Sequence, residues 1–142
     1  MKTFQDYVDA DMIGWLQNNN LDFKFVNINL DKGSLILFFN DRFCIKIYDR
    51  LGHGFGVNIN IANKYDESIY ENDDFNLSWG YKYFKIEESA SFGSRSESQY
   101  VRNLQNLIDD IKTIIPRLNQ LTSKEWIEMK EWINKESRKQ FD

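Results

Sequence analysis

The chain of 142 residues has one cysteine, one histidine and one proline, and its longest uninterrupted apolar run, Leu35 to Phe39, is five residues. Cys44 alone excludes an internal disulfide and a cysteine-built zinc site, and a reducing cytoplasm is the compartment that suits it. His53 has no second histidine to join it, so a catalytic or metal role would have to draw carboxylates or hydroxyls from distant segments. A membrane span needs about 18 apolar residues or more, so none is expected. The start, Met1-Lys2-Thr3-Phe4-Gln5-Asp6, lacks the apolar stretch of a signal peptide. Excess positive charge is missing too. With 18 Lys and Arg against 22 Asp and Glu, the formal charge is −4, which disfavours nonspecific attraction to nucleic acid and suits a basic protein partner.

Apolar material is plentiful. The chain is 42% hydrophobic, with four Trp, seven Tyr and eleven Phe, which is enough to build one core; its length corresponds to a single domain, 1–142. Leu35-Ile36-Leu37-Phe38-Phe39 reads as a central strand covered on both faces, since a helix of that length would make barely a turn and a half. Asn40-Asp41 tolerates the positive φ of a tight hairpin, after which Phe43, Ile45 and Ile47 alternate with Cys44, Lys46 and Tyr48 as a half-buried strand. Before this pair, Val26, Ile28 and Leu30 share a face of a first strand, and Asp31-Lys32-Gly33 supplies the turn. A fourth strand follows the glycine-spaced segment Gly52 to Gly56, with Phe55, Val57, Ile59 and Ile61 alternating. Phe75, Leu77, Trp79, Tyr81 and Tyr83 alternate in turn and predict a fifth strand, bulged where Phe84 and Ile86 break the phase.

Helical patterns bracket these strands. Phe4, Tyr7, Val8, Ile13, Trp15 and Leu16 form a stripe that should end in Asn18-Asn19-Asn20. Tyr100, Val101, Leu104, Leu107, Ile108, Ile111, Ile114, Ile115 and Leu118 trace one continuous face, which Pro116 should kink or end. Thr122 and Glu125 fit a capping box opening a last helix, on which Trp126, Met129 and Ile133 share a face. The fold class expected is α+β, with an N-terminal helix, a five-stranded antiparallel meander sheet and a C-terminal helical hairpin packed on the sheet.

No motif specifies catalysis, a cofactor or a metal. Gly52-His53-Gly54-Phe55-Gly56 precedes a strand, whereas phosphate-cradling loops of the dinucleotide and P-loop kind open a helix, so it reads as a hairpin or bulge. The adjacent pairs Glu87-Glu88 and Asp109-Asp110 point different ways and read as solvated surface. Trp79, Tyr81 and Tyr83 resemble a base-stacking platform but carry little positive charge nearby, and core packing is the better reading. The densest charge lies between residues 66 and 74, where Asp66, Glu67, Glu71, Asp73 and Asp74 crowd nine positions without the spacing of a calcium loop. These five carboxylates are candidate partner-binding residues, steering a basic protein. Trp126 and Trp132, six apart on one helix, are further candidates, because both cannot face inward comfortably and one would serve as an exposed anchor.

The order of helix, strand meander and terminal helical pair, with the Gly52 to Gly56 turn and Asn76-Leu77-Ser78-Trp79, resembles small single-domain immunity proteins of bacterial polymorphic toxin systems. That resemblance implies a non-enzymatic protein that binds and neutralises a cognate toxin domain in the cytoplasm; the chain is expected to be a monomer or a small homo-oligomer. The alternative is a small enzyme or small-ligand-binding domain with its pocket between sheet and helices.

Overall fold

The computed structural model describes residues 12–19, 22–30, 33–50, 57–68, 74–87 and 97–139. The Gly52 to Gly56 segment with His53, and the start of the first helix, lie outside the described residues. Helix α1 is described over 12–18, with Met12 and Leu16 fully buried four residues apart. It ends as the asparagine run predicts: both the backbone and the side-chain amide of Asn19 donate to the Trp15 carbonyl, consuming an acceptor of the last turn.

Strands β1 (Lys24–Leu30), β2 (Gly33–Phe39), β3 (Cys44–Arg50), β4 (Val57–Ala62) and β5 (Phe75–Asn76) form one antiparallel sheet in chain order. The helices α2 (Leu77–Phe84), α3 (Glu97–Asn119) and α4 (Ser123–Lys139) follow. One sheet face, presenting Ile36, Phe38, Phe43, Ile45, Ile47, Ile59 and Ile61, joins Met12 and Leu16 of α1, Leu77 and Tyr81 of α2, the isoleucines of α3 and Met129 and Ile133 of α4 in the main core. The other face carries a smaller cluster of Leu35, Leu37, Cys44, Tyr48 and Ala62. Both faces of β3 are therefore buried from Phe43 to Tyr48. The half-buried reading of β3 fails because its alternate residues Cys44, Lys46 and Tyr48 also lie inside.

The hairpin between β2 and β3 is closed by a side chain rather than by positive φ. Asn40 accepts from the backbone N–H of Arg42 at 2.9 Å and of Phe43 at 3.0 Å, and its own N–H donates to the Phe43 carbonyl. Lys85, not Asn40 or Asp41, is the non-glycine residue with positive φ among those described.

The largest departure from the sequence reading follows Asn76. The fifth strand exists but is two residues long, and Leu77 to Phe84 is helical. Asn76 caps this helix by accepting from Ser78 N–H, and Lys85 ends it in the left-handed region, φ 58°, with Ile86 N–H reaching back to the Tyr81 carbonyl. Leu77, Gly80 and Tyr81 are the buried residues, a spacing of three and four. Gly80 makes this possible, since a Cβ there would lie 2.7 Å from Ile114 Cδ1 and 3.2 Å from Phe75 Cε2. Tyr81 then donates its hydroxyl to the Asp110 carbonyl at 2.5 Å, tying α2 to α3. Asp110 is itself buried, contrary to its reading as surface, while Asp109 is exposed.

Helix α3 runs three residues past Pro116 and stops at Asn119. The capping box of α4 is present in full: Glu125 Oε1 accepts from Thr122 N–H at 3.0 Å, and Thr122 Oγ1 accepts from Glu125 N–H at 3.1 Å. The C-terminal helical hairpin thus packs on the sheet as expected. Among the described residues, no helix is long and apolar enough to cross a membrane.

Candidate functional site

The acidic segment is partly turned inward. Lys46 projects from the middle of β3 on the second sheet face, is 1% exposed, and places Nζ 2.7 Å from Asp66 Oδ2 and 2.7 Å from Asp74 Oδ2. A strand lysine buried without counter-charge would be costly, and two carboxylates from either end of the 66–74 segment supply it. Burial opposes ionisation of Asp66, but donation from Lys46, from Ser68 Oγ at 2.6 Å and from Ser68 N–H at 3.1 Å outweighs it and holds the carboxyl at about 2. Burial likewise opposes the charge of Lys46, and the two aspartates overcome it, raising its pKa above the ordinary lysine value. Beside this cluster, burial pushes the Cys44 thiol up to about 11, so it stays protonated and unreactive.

This geometry divides the seven candidate partner residues. Asp66 and Asp74 have the basic neighbour that their stretch of sequence does not show, because Lys46 arrives from 20 residues earlier in the chain. Glu67 is exposed and accepts from the Tyr65 hydroxyl. Glu71 and Asp73 lie outside the described residues. Trp126 and Trp132 are both half-buried rather than one in and one out. Trp126 stacks on Phe43 at 6.2 Å and meets Phe75 at 6.0 Å, whereas Trp132 packs edge-on to Tyr83 of α2 at 5.5 Å. The sheet and α2 flank α4 from two sides, and each takes one indole. Trp126 Nε1–H is buried and meets no acceptor among the described residues.

The exposed apolar side chains are others. Among the described residues the large ones are Ile127 at 57%, Tyr65 at 39% and Phe25 at 36% exposed. Ile127 and Tyr65 lie on either side of the β2–β3 turn. On the helix side, a groove of about 350 Å³ is lined by Asp41, Arg42, Asn63, Leu118, Leu121, Thr122, Trp126 and Ile127. On the opposite side, a depression of about 460 Å³ is lined by Asp22, Lys24, Phe39, Asn40, Asp41, Lys64 and Tyr65, with Tyr65 on Phe39 at a ring distance of 4.4 Å. Asp41 belongs to both. The turn between them is held rigidly: Arg42 donates Nη1 to the Asn119 carbonyl and Nη2 to the Leu121 carbonyl at 2.6 Å, and Asn40 Nδ2 donates to Asn119 Oδ1 at 3.2 Å. The first of these satisfies a carbonyl that the end of α3 leaves open, and together they lock the hairpin tip to the α3–α4 connection.

Tyr65 and Ile127 are not among the residues the sequence singles out, and the Asn40-Asp41 turn enters it only as a hairpin. A signal was present for both side chains: Ile127 falls off the Trp126, Met129, Ile133 stripe, and Tyr65 is an aromatic residue at the threshold of the acidic segment. No group of three or more metal-ligating side chains comes together among the described residues. Comparison with known proteins returned no match among family models, curated proteins or solved structures.

Proposed function

We propose that this chain is a non-enzymatic binding protein that masks a protein partner, in the manner of an immunity protein neutralising a cognate toxin domain, and that it does so with the end of the domain around Asn40 to Arg42. The observation that supports this reading is the placement of two exposed apolar side chains, Tyr65 and Ile127, on either side of a turn clamped by Arg42. Apolar anchors on a rigid support bind at low ordering cost, because little freedom is lost on association. Exposed Asp22, Asp41 and Glu67 border the same surface alongside exposed Lys24, Arg42 and Lys64, so a partner would meet charges of both signs there, and it is the formal charge of −4 on the whole chain that favours a basic one. The interface thereby moves from the carboxylates of Asp66 and Asp74, which serve Lys46, to the turn beside them.

The test is binding to a purified toxin domain encoded next to this chain's gene. Ile127→Glu and Tyr65→Glu should each weaken the complex by about 10-fold or more while leaving the melting temperature unchanged, since both side chains are exposed. Equal affinity of both variants and the parent would remove this surface from the interaction. The groove itself favours a second reading, a small-molecule site at the rim between sheet and helices, its volume falling within the range of about 300–1,000 Å³ typical of such sites. A ligand that raises the melting temperature of the parent but not of a Leu121→Trp variant would favour that reading.

A further inference from the structure

We propose that the edge of β1 left unpaired among the described residues pairs with the same edge of a second copy of this chain, two-fold related about Asn27, joining the two five-stranded sheets into one. The two edges of the sheet differ. At one, β5 is two residues long and passes directly into α2, which leaves little to pair with. At the other, β1 offers seven residues whose pairing among the described residues is with β2 alone.

The direction of its backbone groups follows from the ladder. Asn40 N–H donates to the Phe43 carbonyl, so the even-numbered residues of β2 bond toward β3 and the odd-numbered ones toward β1. Partners of those odd residues are Lys24, Val26, Ile28 and Leu30. Phe25, Asn27 and Asn29 therefore direct N–H and C=O outward. Natural edges of this length are usually blunted by a central charge, a proline or a bulge. Phe25 to Leu30 contains no charge and no proline, and its register with β2 is unbroken.

An antiparallel copy centred on Asn27 uses every outward group, through the pairs Phe25 with Asn29, Asn27 with Asn27 and Asn29 with Phe25. Lys24, the one charge on the strand, then faces Leu30 of the other copy rather than its own counterpart, so no like charges oppose. Val26 and Ile28, half-buried against the smaller core cluster, meet across the axis and join the second-face clusters of the two copies. Phe25, the third exposed large apolar residue, is covered in the same step. An edge pair of this length falls below the ~1,200 Å² of a stable standard interface, so the dimer is expected to be weak and concentration-dependent.

Sedimentation equilibrium of the full chain from about 1 to 500 µM should show monomer passing to dimer across that range. Asn27→Lys places two ammonium groups opposite each other at the axis, and should remain monomeric throughout with an unchanged circular dichroism spectrum and melting temperature. Asn27→Cys gives an independent check of register: paired α-carbons about 5.5 Å apart should oxidise to a covalent dimer, whereas Phe25→Cys, about 14 Å from its counterpart, should not. A parent that stays monomeric at the highest concentration overturns the proposal. So does a dimer indifferent to Asn27→Lys, or one cross-linked by Phe25→Cys in preference to Asn27→Cys, and so does an edge that only a foreign extended segment occupies.

Discussion

On one face of the sheet, Ile36, Phe38, Ile45 and Ile47 are buried among helices whose own stripes are apolar; on the other, Leu35, Leu37 and Cys44 lie equally deep beside a lysine held by two aspartates. The first closure is nondirectional, depends on area removed from water and tolerates exchange among residues of similar volume. The second is directional. It fixes one atom, Lys46 Nζ, between Asp66 and Asp74, and so specifies where both ends of the 66–74 segment meet the sheet at the expense of desolvating three charges. A core made by periodic stripes can thus coexist with one made by a single ion triad, and the two should fail differently.

The largest effect is expected on the helix-covered face. Ile108→Asp puts an uncompensated charge at a position 1% exposed on α3, a cost of several kcal/mol against a total stability of about 5–15 kcal/mol. Loss of cooperative melting is the expected result, and a normal transition would refute the packing of α3. On the other face, Lys46→Ala should cost about 3–5 kcal/mol in urea denaturation, because Asp66 and Asp74 are left close together without their shared ammonium. Lys46→Met combined with Asp66→Asn and Asp74→Asn should return to within about 1 kcal/mol of the parent. If the triple variant is as weak as Lys46→Ala, the triad contributes more than charge balance.

Acid sharpens the same contrast. Asp66 is held at about 2 against an ordinary 3.8, so its folded form favours the carboxylate. Stability from this group is present above the unfolded value and is lost as pH falls from about 4 toward 2, amounting to about 2 kcal/mol at most. Melting followed between pH 6 and 2 should show this loss in the parent, and less of it in the triple variant. The smallest expected effects compare two glycines. Gly80→Ala should cost about 1 kcal/mol by crowding buried Ile114 and Phe75, whereas Gly14→Ala, where a Cβ meets nothing within 4 Å, should gain about 0.5–1 kcal/mol from helix preference. Stabilisation by both would mean that α2 approaches α3 less closely.

What was readable in advance follows the same division. The Ile108 to Leu118 stripe, the alternation in β1 to β4 and the Thr122–Glu125 box each depend on residues a few positions apart, and their geometry is set by the backbone period itself. Leu77 to Phe84 was misread because its aromatic residues satisfy a period of two as well as one near 3.6. Asn76 and Gly80 were the signals that favour the helix, the first as a cap and the second as a point of close contact. That Asp66 and Asp74 pair with Lys46 was hidden for a different reason: charge density along the sequence says nothing about which carboxylates meet a cation from another strand.

By itself, then, the sequence determined the class, the antiparallel order of β1 to β4 and the buried face of the last two helices, because local periodicity and short turns leave few alternatives. Tertiary structure alone decided that Lys46 is buried, that Asp66 and Asp74 serve it, that both tryptophans of α4 are half-covered while Ile127 is not, and that Arg42 locks the sheet to the α3–α4 turn. Each of these depends on contacts between residues far apart in the chain, whose distances no local pattern constrains.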